Sequence, residues 1–585
     1  MTRAVRDNVV YVVGETTRDK LARVLEALNI DLDNYRFEQL VEETESKQLS
    51  VAKNELRAAE TDADRLSLLF TDAELVSQIP SQGLQYAKMK HGHEPSGSTL
   101  AQICIDMFGP AILEKLCKLK QTLSVGVPPK TWRGSYSTRK WVRELGFSDE
   151  WAGRKASVRN TPNEVVNGPA EPGAFHDYQQ AVSLNLKRML RGEPPHRGLI
   201  TLPTGAGKTR VAVQTIIESI SAGELDRFGA PFNGPILWLV NNEELCEQAI
   251  EAWAYLWSAA GRPNTSLTVS RHFGTYNAEE EPTGVQVVVA TYQKTVGSSE
   301  KREYDWLKEA PLVVIDEAHS ALNSTYTKIL NWTGRSARER DKLLLGLTAT
   351  PYSGRSDSER TEQLLKRFDN NILDEGVFGD EQPMVRLQND RVLSHVTMEI
   401  IRTESAIELT DKERQEFEKN TWLPRHKEKA LGEDLERTLR IVESIKSKPS
   451  NWSIIVFATS VENAETIAAM LTLDGIPSAA ISANTPDTER SLALDRFRSK
   501  ELRVLTNYGV LSQGFDAPKT DAVYITRPTQ SEVRYQQMIG RGLRGPRNGG
   551  TEDVHLVNVL DNIREFDLSI NYKPFEKLAE TIDGS

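Results

Sequence analysis

Residues 200–212 read ITLPTGAGKTRVA, a glycine-rich turn between a stretch of strand type and one of helix type, which is the context a phosphate loop requires. There the backbone N–H groups of Gly205, Ala206, Gly207 and Lys208, following Thr204, would point from a helix N-terminus at a β-phosphate. The Lys208 ammonium would neutralise a transferring phosphoryl group, and Thr209 would hold magnesium. The strict eight-residue pattern has glycine at its first position, where this chain has Leu202. Further on, residues 311–322, PLVVIDEAHSAL, end an apolar run in two acids. Asp316 can bind magnesium through water, Glu317 can orient an attacking water as general base, and His319 would report nucleotide state. Acids at the C-terminal edge of a parallel strand face such a loop. The chemistry expected is magnesium-dependent hydrolysis of ATP.

Elements that position these groups can be read from periodicity. Residues 1–120 carry apolar residues at spacings of three and four, as in LARVLEALNI and STLAQICIDMFGPAILEKLCKLKQTL, and predict a helical accessory domain. Residues 121–172 read as an extended connector broken by Pro and Gly. Short apolar runs then alternate with helical stretches: GLITLP, PILWLV, VQVVVATY, PLVVIDE and LLLGLTAT, and later SIIVFAT, AAISA, RVLTNY, AVYITR and VHLVNVL. A charged helical segment intervenes. The alternation predicts an α/β fold of two doubly wound parallel-sheet lobes, residues 173–372 and 373–585.

The ordered set PTGAGKT, DEAH, GLTATP, VLSQGFD and QQMIGRGLR resembles the superfamily 2 helicases, especially the branch of XPB-like, RadD-like and restriction-enzyme translocases, over residues 173–570. That resemblance implies tandem RecA-like lobes clamping one ATP. It implies that Tyr178 and Gln179 read adenine, that Thr348 and Thr350 couple hydrolysis to lobe motion, and that Gly514 and Asp516 approach ribose and phosphates. Arg541 and Arg544, three apart and expected on one helix face, become arginine fingers, with Gln537 one turn earlier near the same phosphate. Asn241, Thr291, Gln293, Thr459 and Thr506 become contacts to strand phosphates, which position without reading sequence.

A net charge of −11 runs against a uniformly basic nucleic-acid binder, so any strand must be held in a local cleft. From Lys118 to Arg159 ten Lys or Arg stand against three Asp or Glu, interleaved with Trp132, Tyr136, Trp141 and Trp151. Such a stretch either stacks on bases or packs the connector onto the first lobe. The three cysteines, Cys104, Cys117 and Cys246, lie far apart and suggest neither a disulfide framework nor a zinc site. No apolar run approaches the roughly 20 residues that span a bilayer, and the expected location is the cytoplasm. The expected function is an ATP-dependent helicase or translocase on nucleic acid, DNA before RNA, in bacterial DNA repair or phage defence, with a possible protein partner on the helical domain. The alternatives are an ATP-gated sensor or scaffold, or the motor of a restriction-type complex whose nuclease is on another chain.

Overall fold

Residues 312–316, LVVID, are β-branched or long apolar side chains up to the terminal acid, and all four apolar ones are buried. A strand covered on both faces has this composition, because helices pack on either side of a parallel sheet. A computed structural model describes residues 17–28, 30–120, 122–153, 163–167, 173–226, 232, 234–262, 264–281, 284–349, 359–420, 423–511, 519–528 and 532–563. The chain divides into two compact units, the first mainly from residues up to Ser157 and the second mainly from Val158 onward.

In the first unit, the long helix Asn34–Ala58 starts at Asp33, whose carboxylate accepts from the Arg36 N–H. The helix Asp62–Leu69 carries a capping box between Thr61 and Asp64, satisfying otherwise orphaned backbone donors. Leu66, Leu75, Leu100, Cys104 and Leu113 are buried. The stretch expected as an irregular connector is not one. It holds the helix Tyr136–Glu144 and a 3-10 turn Asp149–Ala152, and Lys53 reaches Glu144 at 2.6 Å. Trp132 meets Trp141 edge-on with centroids 5.8 Å apart, and Trp151 meets Phe147 at 4.5 Å. Trp132 and Trp151 are buried, so these two planes serve packing within the first unit rather than base stacking. The sequence carries the aromatic spacing but not the partner ring.

The second unit contains two sheets. The first runs β1 (Asn163–Asn167), β4 (Ser266–His272), β5 (Val285–Thr291), β3 (Pro235–Val240), β6 (Leu312–Asp316), β7 (Leu343–Leu347), β2 (Arg197–Ile200). All pairs are parallel except β1 on β4. The second runs β10 (Ser478–Ser482), β11 (Val504–Tyr508), β9 (Ile454–Phe457), β12 (Ala522–Ile525), β13 (Asp553–Ile563), β8 (His395–Ile407), all parallel. The expected two-lobe α/β fold is present, with three strands that the apolar pattern did not announce: β1, β4 and β8. Trp238, Trp253 and Trp257 anchor the first lobe, fully buried, Trp238 and Trp253 edge-to-face at 5.9 Å, an arrangement that adds to their large area burial. Among the described residues no helix is long and apolar enough to cross a membrane.

Candidate nucleotide-hydrolysis site

Strand register brings the chemistry together. Asp316 pairs with Leu347, and Leu347 with Ile200. The C-terminal ends of β6, β7 and β2 therefore lie side by side, and each continues into a motif: Asp316 and Glu317, Thr348, and the phosphate loop. The loop bends because Gly205 and Gly207 take φ of 87° and 83°, left-handed values that glycine reaches without cost. A Cβ on Gly207 would sit 2.7 Å from Gln179 Nε2. The helix Lys208–Ser221 follows, with Gly207 as its N-cap. Leu202, the departure from the strict pattern, is fully buried in the lobe core, which accounts for an apolar side chain there.

Lys208 Nζ donates to the Leu202 carbonyl at 2.9 Å and to the Pro203 carbonyl at 3.3 Å. Burial lowers its pKa, while Glu317 and Asp316 pull it back up. Asp316 is pushed up to about 7 by burial and then by the like charge of Glu317. Burial also pushes the Glu317 carboxyl up, but His319, Lys208 and Arg541 outweigh it and hold it below its ordinary value. Two neighbouring acids are thus driven apart in proton affinity, as acid–base sites require. Glu317 itself sits at φ 53°, ψ 52°, a left-handed conformation costly for a side chain of its size. His319 Nδ1 lies 3.3 Å from Glu317 Oε2 and 3.5 Å from Thr348 Oγ1, linking the acid to the end of β7.

A buried acid pair raises the affinity of the site for a cation. Glu317 Oε2 is buried with no hydrogen-bond donor in geometry. Among the described residues no group of three or more His, Cys, Asp and Glu could hold a metal. Two protein groups with the remaining positions left to water and phosphate suit magnesium, so Thr209 and Asp316 fit that ion.

The second lobe closes on this edge. Arg541 lies near enough for its charge to act on Lys208 and Glu317, and its Nε donates to the Gln537 carbonyl at 3.2 Å. Gln537 is buried with its Nε2 unpartnered. The expectation of a shared helix face for Arg541 and Arg544 is corrected. The helix Glu532–Ile539 ends before both, and Arg544 pairs with Leu393 in an isolated bridge. Three glycines explain the ending. A Cβ on Gly540 would stand 2.3 Å from Thr204 Cγ2, one on Gly542 2.6 Å from Val554 Cγ2, and one on Gly545 2.5 Å from the Arg391 carbonyl. Close approach, not helix, is what that segment encodes.

Other expected residues sit differently. Tyr178 Oη donates to the Ala206 carbonyl at 2.7 Å and Gln179 Nε2 to the same oxygen at 3.1 Å, while Gln179 Oε1 accepts from the His176 N–H. Gln179 Nε2 braces the phosphate loop and its Oε1 caps its own helix, which leaves one N–H and one lone pair of the amide for the adenine-reading role expected of it. Thr506 is corrected. It lies mid-strand in β11, fully buried, its hydroxyl donating to the Ala464 carbonyl at 2.7 Å, because that strand is covered on both faces. Thr459 is likewise fully buried, hydrogen-bonded to Asn463 Oδ1 at 3.2 Å beneath Gly432, where a Cβ would come within 2.8 Å of its hydroxyl. Neither faces a strand. Asn241 accepts from Tyr326 Oη at 2.9 Å, Thr291 is buried at the end of β5, and Gln293 is exposed two residues on. Thr350, Gly514 and Asp516 lie outside the described residues. Sequence reasoning missed Asn548, whose Nδ2 donates to the Gly205 carbonyl at 3.1 Å and the Val392 carbonyl at 3.3 Å. A lone Asn in a loop carries no local signal. Asp374 was also missed. It binds Thr201 N and Oγ1 at 2.7 and 2.8 Å and so pins the strand end that feeds the loop.

Comparison with known proteins gives the same outline. Residues 173–353 match the family described as "Type III restriction enzyme, res subunit", and residues 434–545 match the helicase conserved C-terminal domain. The chain is 25% identical over 371 residues to "Putative ATP-dependent helicase IRC3" of Saccharomyces cerevisiae, covering 63% of this chain and 49% of that protein. It is 26% identical over 380 residues to the similarly named mitochondrial irc3 of Schizosaccharomyces pombe, covering 65% and 56%. The chain thus spans about half the length of these curated relatives. Among solved structures, the ATP-dependent type ISP restriction-modification enzyme LlaBIII bound to DNA is 15% identical with a TM-score of 0.45, covering 70% of this chain and 30% of that one. With the motif order, the strand register and both family matches agreeing, residues 173–353 and 434–545 are the paired domains of a superfamily 2 helicase, the first of them matching the restriction-enzyme res subunit.

Proposed function

We propose that this chain hydrolyses ATP between its two lobes and uses the cycle to move along or remodel nucleic acid, DNA in preference to RNA. The observation that carries the proposal is the meeting of Lys208, Glu317 and Arg541, drawn from both lobes, at the ends of aligned strands. Lys208 and the backbone N–H groups of Gly205 to Lys208 bind the phosphates. Glu317, held ionised beside His319, takes the proton of the attacking water. Arg541 meets the charge that develops on the transferred phosphoryl group, which preorganised cations stabilise without rearrangement. Magnesium, when bound by Thr209 and Asp316, supplies charge neutralisation on the phosphates. A site completed by both lobes makes lobe closure depend on nucleotide, and movement follows from the cycle of closure and release. The preference for DNA rests on the motif resemblance to DNA translocases, and the three buried free cysteines favour a reducing compartment such as the cytoplasm. The repair or anti-phage setting, and a protein partner on the helical unit, rest on the family resemblance.

The test is steady-state ATP turnover with no polymer, single-stranded DNA, duplex DNA, forked DNA and RNA, beside a Glu317→Gln variant. Stimulation by one DNA form, reduced about 10²- to 10⁴-fold in the variant with ATP binding retained, is the expected result. Turnover indifferent to every polymer would overturn the motor and point to the ATP-gated sensor or to a motor that works only on a partner chain.

A further inference from the structure

At the opposite, N-terminal edge of the first sheet, roughly 10 Å of strand away from the phosphate loop, lies a second concentration of positive charge. Arg197 opens β2 and pairs with Leu344 at the start of β7. Beside it is a cavity of ≈ 510 Å³ lined by Arg197, Arg335, Arg338, Arg340, Lys366 and Arg367, over a floor that includes Leu322 and Leu330. That volume falls in the range of small-molecule sites.

The positive charge here is unevenly compensated. Arg340 pairs with Asp369, and Lys366 lies 3.5 Å from Glu362. Arg197 and Arg335 are each 1% exposed, and their hydrogen bonds go to carbonyls, not carboxylates. Arg197 reaches those of Arg367, Ser336 and Glu339, and Arg335 those of Leu343, Thr333 and Ala310. Arg367 donates to the Ala321 carbonyl and the Thr327 hydroxyl. Arg197 keeps its Nε buried without a partner. Burial, followed by mutual repulsion, lowers the proton affinity of this group: Arg335 falls to about 9 under burial and the charge of Arg197, and Arg367 is lowered by the same two causes. Carbonyl contacts alone explain why the loop 333–342 is ordered. Asp369 and Glu309 offset part of the charge on Arg197 and Arg335, yet uncharged donors to the same carbonyls would avoid the cost of burying it.

We propose that this cavity is an anion site distinct from the nucleotide site, and that it takes a small ligand bearing two or more phosphate groups. Guanidinium groups match phosphate oxygens in pairs and bind them more strongly than neutral donors do. The concave shape, with two cations below the surface, suits a ligand that enters, whereas a nucleic-acid strand is held along an exposed stripe. An occupied site would brace β2, which leads directly into the phosphate loop.

The experiment is calorimetric titration of the full chain with inorganic tripolyphosphate at physiological ionic strength. A Lys208→Ala background removes binding at the phosphate loop. The expected result is saturable binding, weakened about tenfold or more by Arg338→Glu with Lys366→Glu. Both replaced side chains are exposed, so the fold is retained, which circular dichroism checks. Absence of saturable binding, equal binding to the charge-reversed variant, or loss of the signal in sodium chloride of matched ionic strength overturns the proposal. Binding of a single-stranded oligonucleotide but not of tripolyphosphate overturns it in favour of a strand-backbone contact.

Discussion

A single methyl group tests the interlobe geometry. Gly540 is not in the left-handed region, so Ala is tolerated by its own backbone. The added Cβ would stand 2.3 Å from Thr204 Cγ2 and 2.6 Å from Thr204 Cβ across the lobe boundary. Gly540→Ala therefore leaves each lobe folded and opposes their closure, with overpacking of this kind costing roughly 1–3 kcal/mol. Steady-state turnover should fall about tenfold while the urea midpoint of unfolding stays within error; unchanged turnover would show that the lobes do not need this approach. The residue scale is also where sequence was most informative. Gly205, Gly207, Lys208, Asp316 and Glu317 were identifiable because phosphate and proton chemistry admit few residue types at fixed spacing. Thr506 and Thr459 were misread because a threonine at a strand end and one inside a strand look alike until the register is known. Asn548 was invisible, since its partner is a backbone carbonyl 343 positions away.

At the scale of elements, periodicity identified the strands with a continuous apolar run, the edge strands β2 and β10 included, and missed those without one. β1 pairs with β4 a hundred residues downstream, Asn163 with Ser270, and neither has the continuous apolar run of a central strand. β8 pairs only with β13, at the rim of the second sheet. What joins that rim to the helix Leu435–Ser447 is a buried ion pair. Arg437 Nε is 2.6 Å from Asp561 Oδ1 and Nη2 is 3.0 Å from Oδ2, both side chains fully buried, while Thr403 of β8 donates to Asp561 at 2.7 Å. Removing one member of such a pair strands the other charge, at about 3–5 kcal/mol, whereas replacing both with apolar groups is close to neutral. Arg437→Met should lower the urea midpoint sharply, and Arg437→Met with Asp561→Leu should recover most of the loss. A double variant as unstable as the single one would mean that packing, not stranded charge, sets the cost.

For the whole molecule, the net charge of −11 says little about function, because a sum over the chain does not show where positive charge gathers, as it does around Arg197, Arg335 and Arg367. The division into two units is more telling, since every described nucleotide-site residue lies in the second, and the three cysteines sample both. Cys104 and Cys117 lie in the first unit and burial pushes each thiol up to about 12; burial raises Cys246, in the first lobe, as well. Only the thiolate attacks, so at pH 8 the native protein should be labelled slowly at all three, through opening of the surrounding structure. ATP with magnesium binds the folded second unit and stabilises it by about 2.7 kcal/mol at a hundredfold excess over its dissociation constant. Labelling of Cys246 by that route should then slow by up to about 100-fold, with Cys104 and Cys117 as an internal reference. Site-resolved mass spectrometry of an alkylation time course reads all three at once. Slowing confined to Cys246 fits nucleotide bound in the second unit, and equal slowing at all three would mean that both units open together. Rapid labelling of Cys246 regardless of ATP would contradict a nucleotide site built on the first lobe.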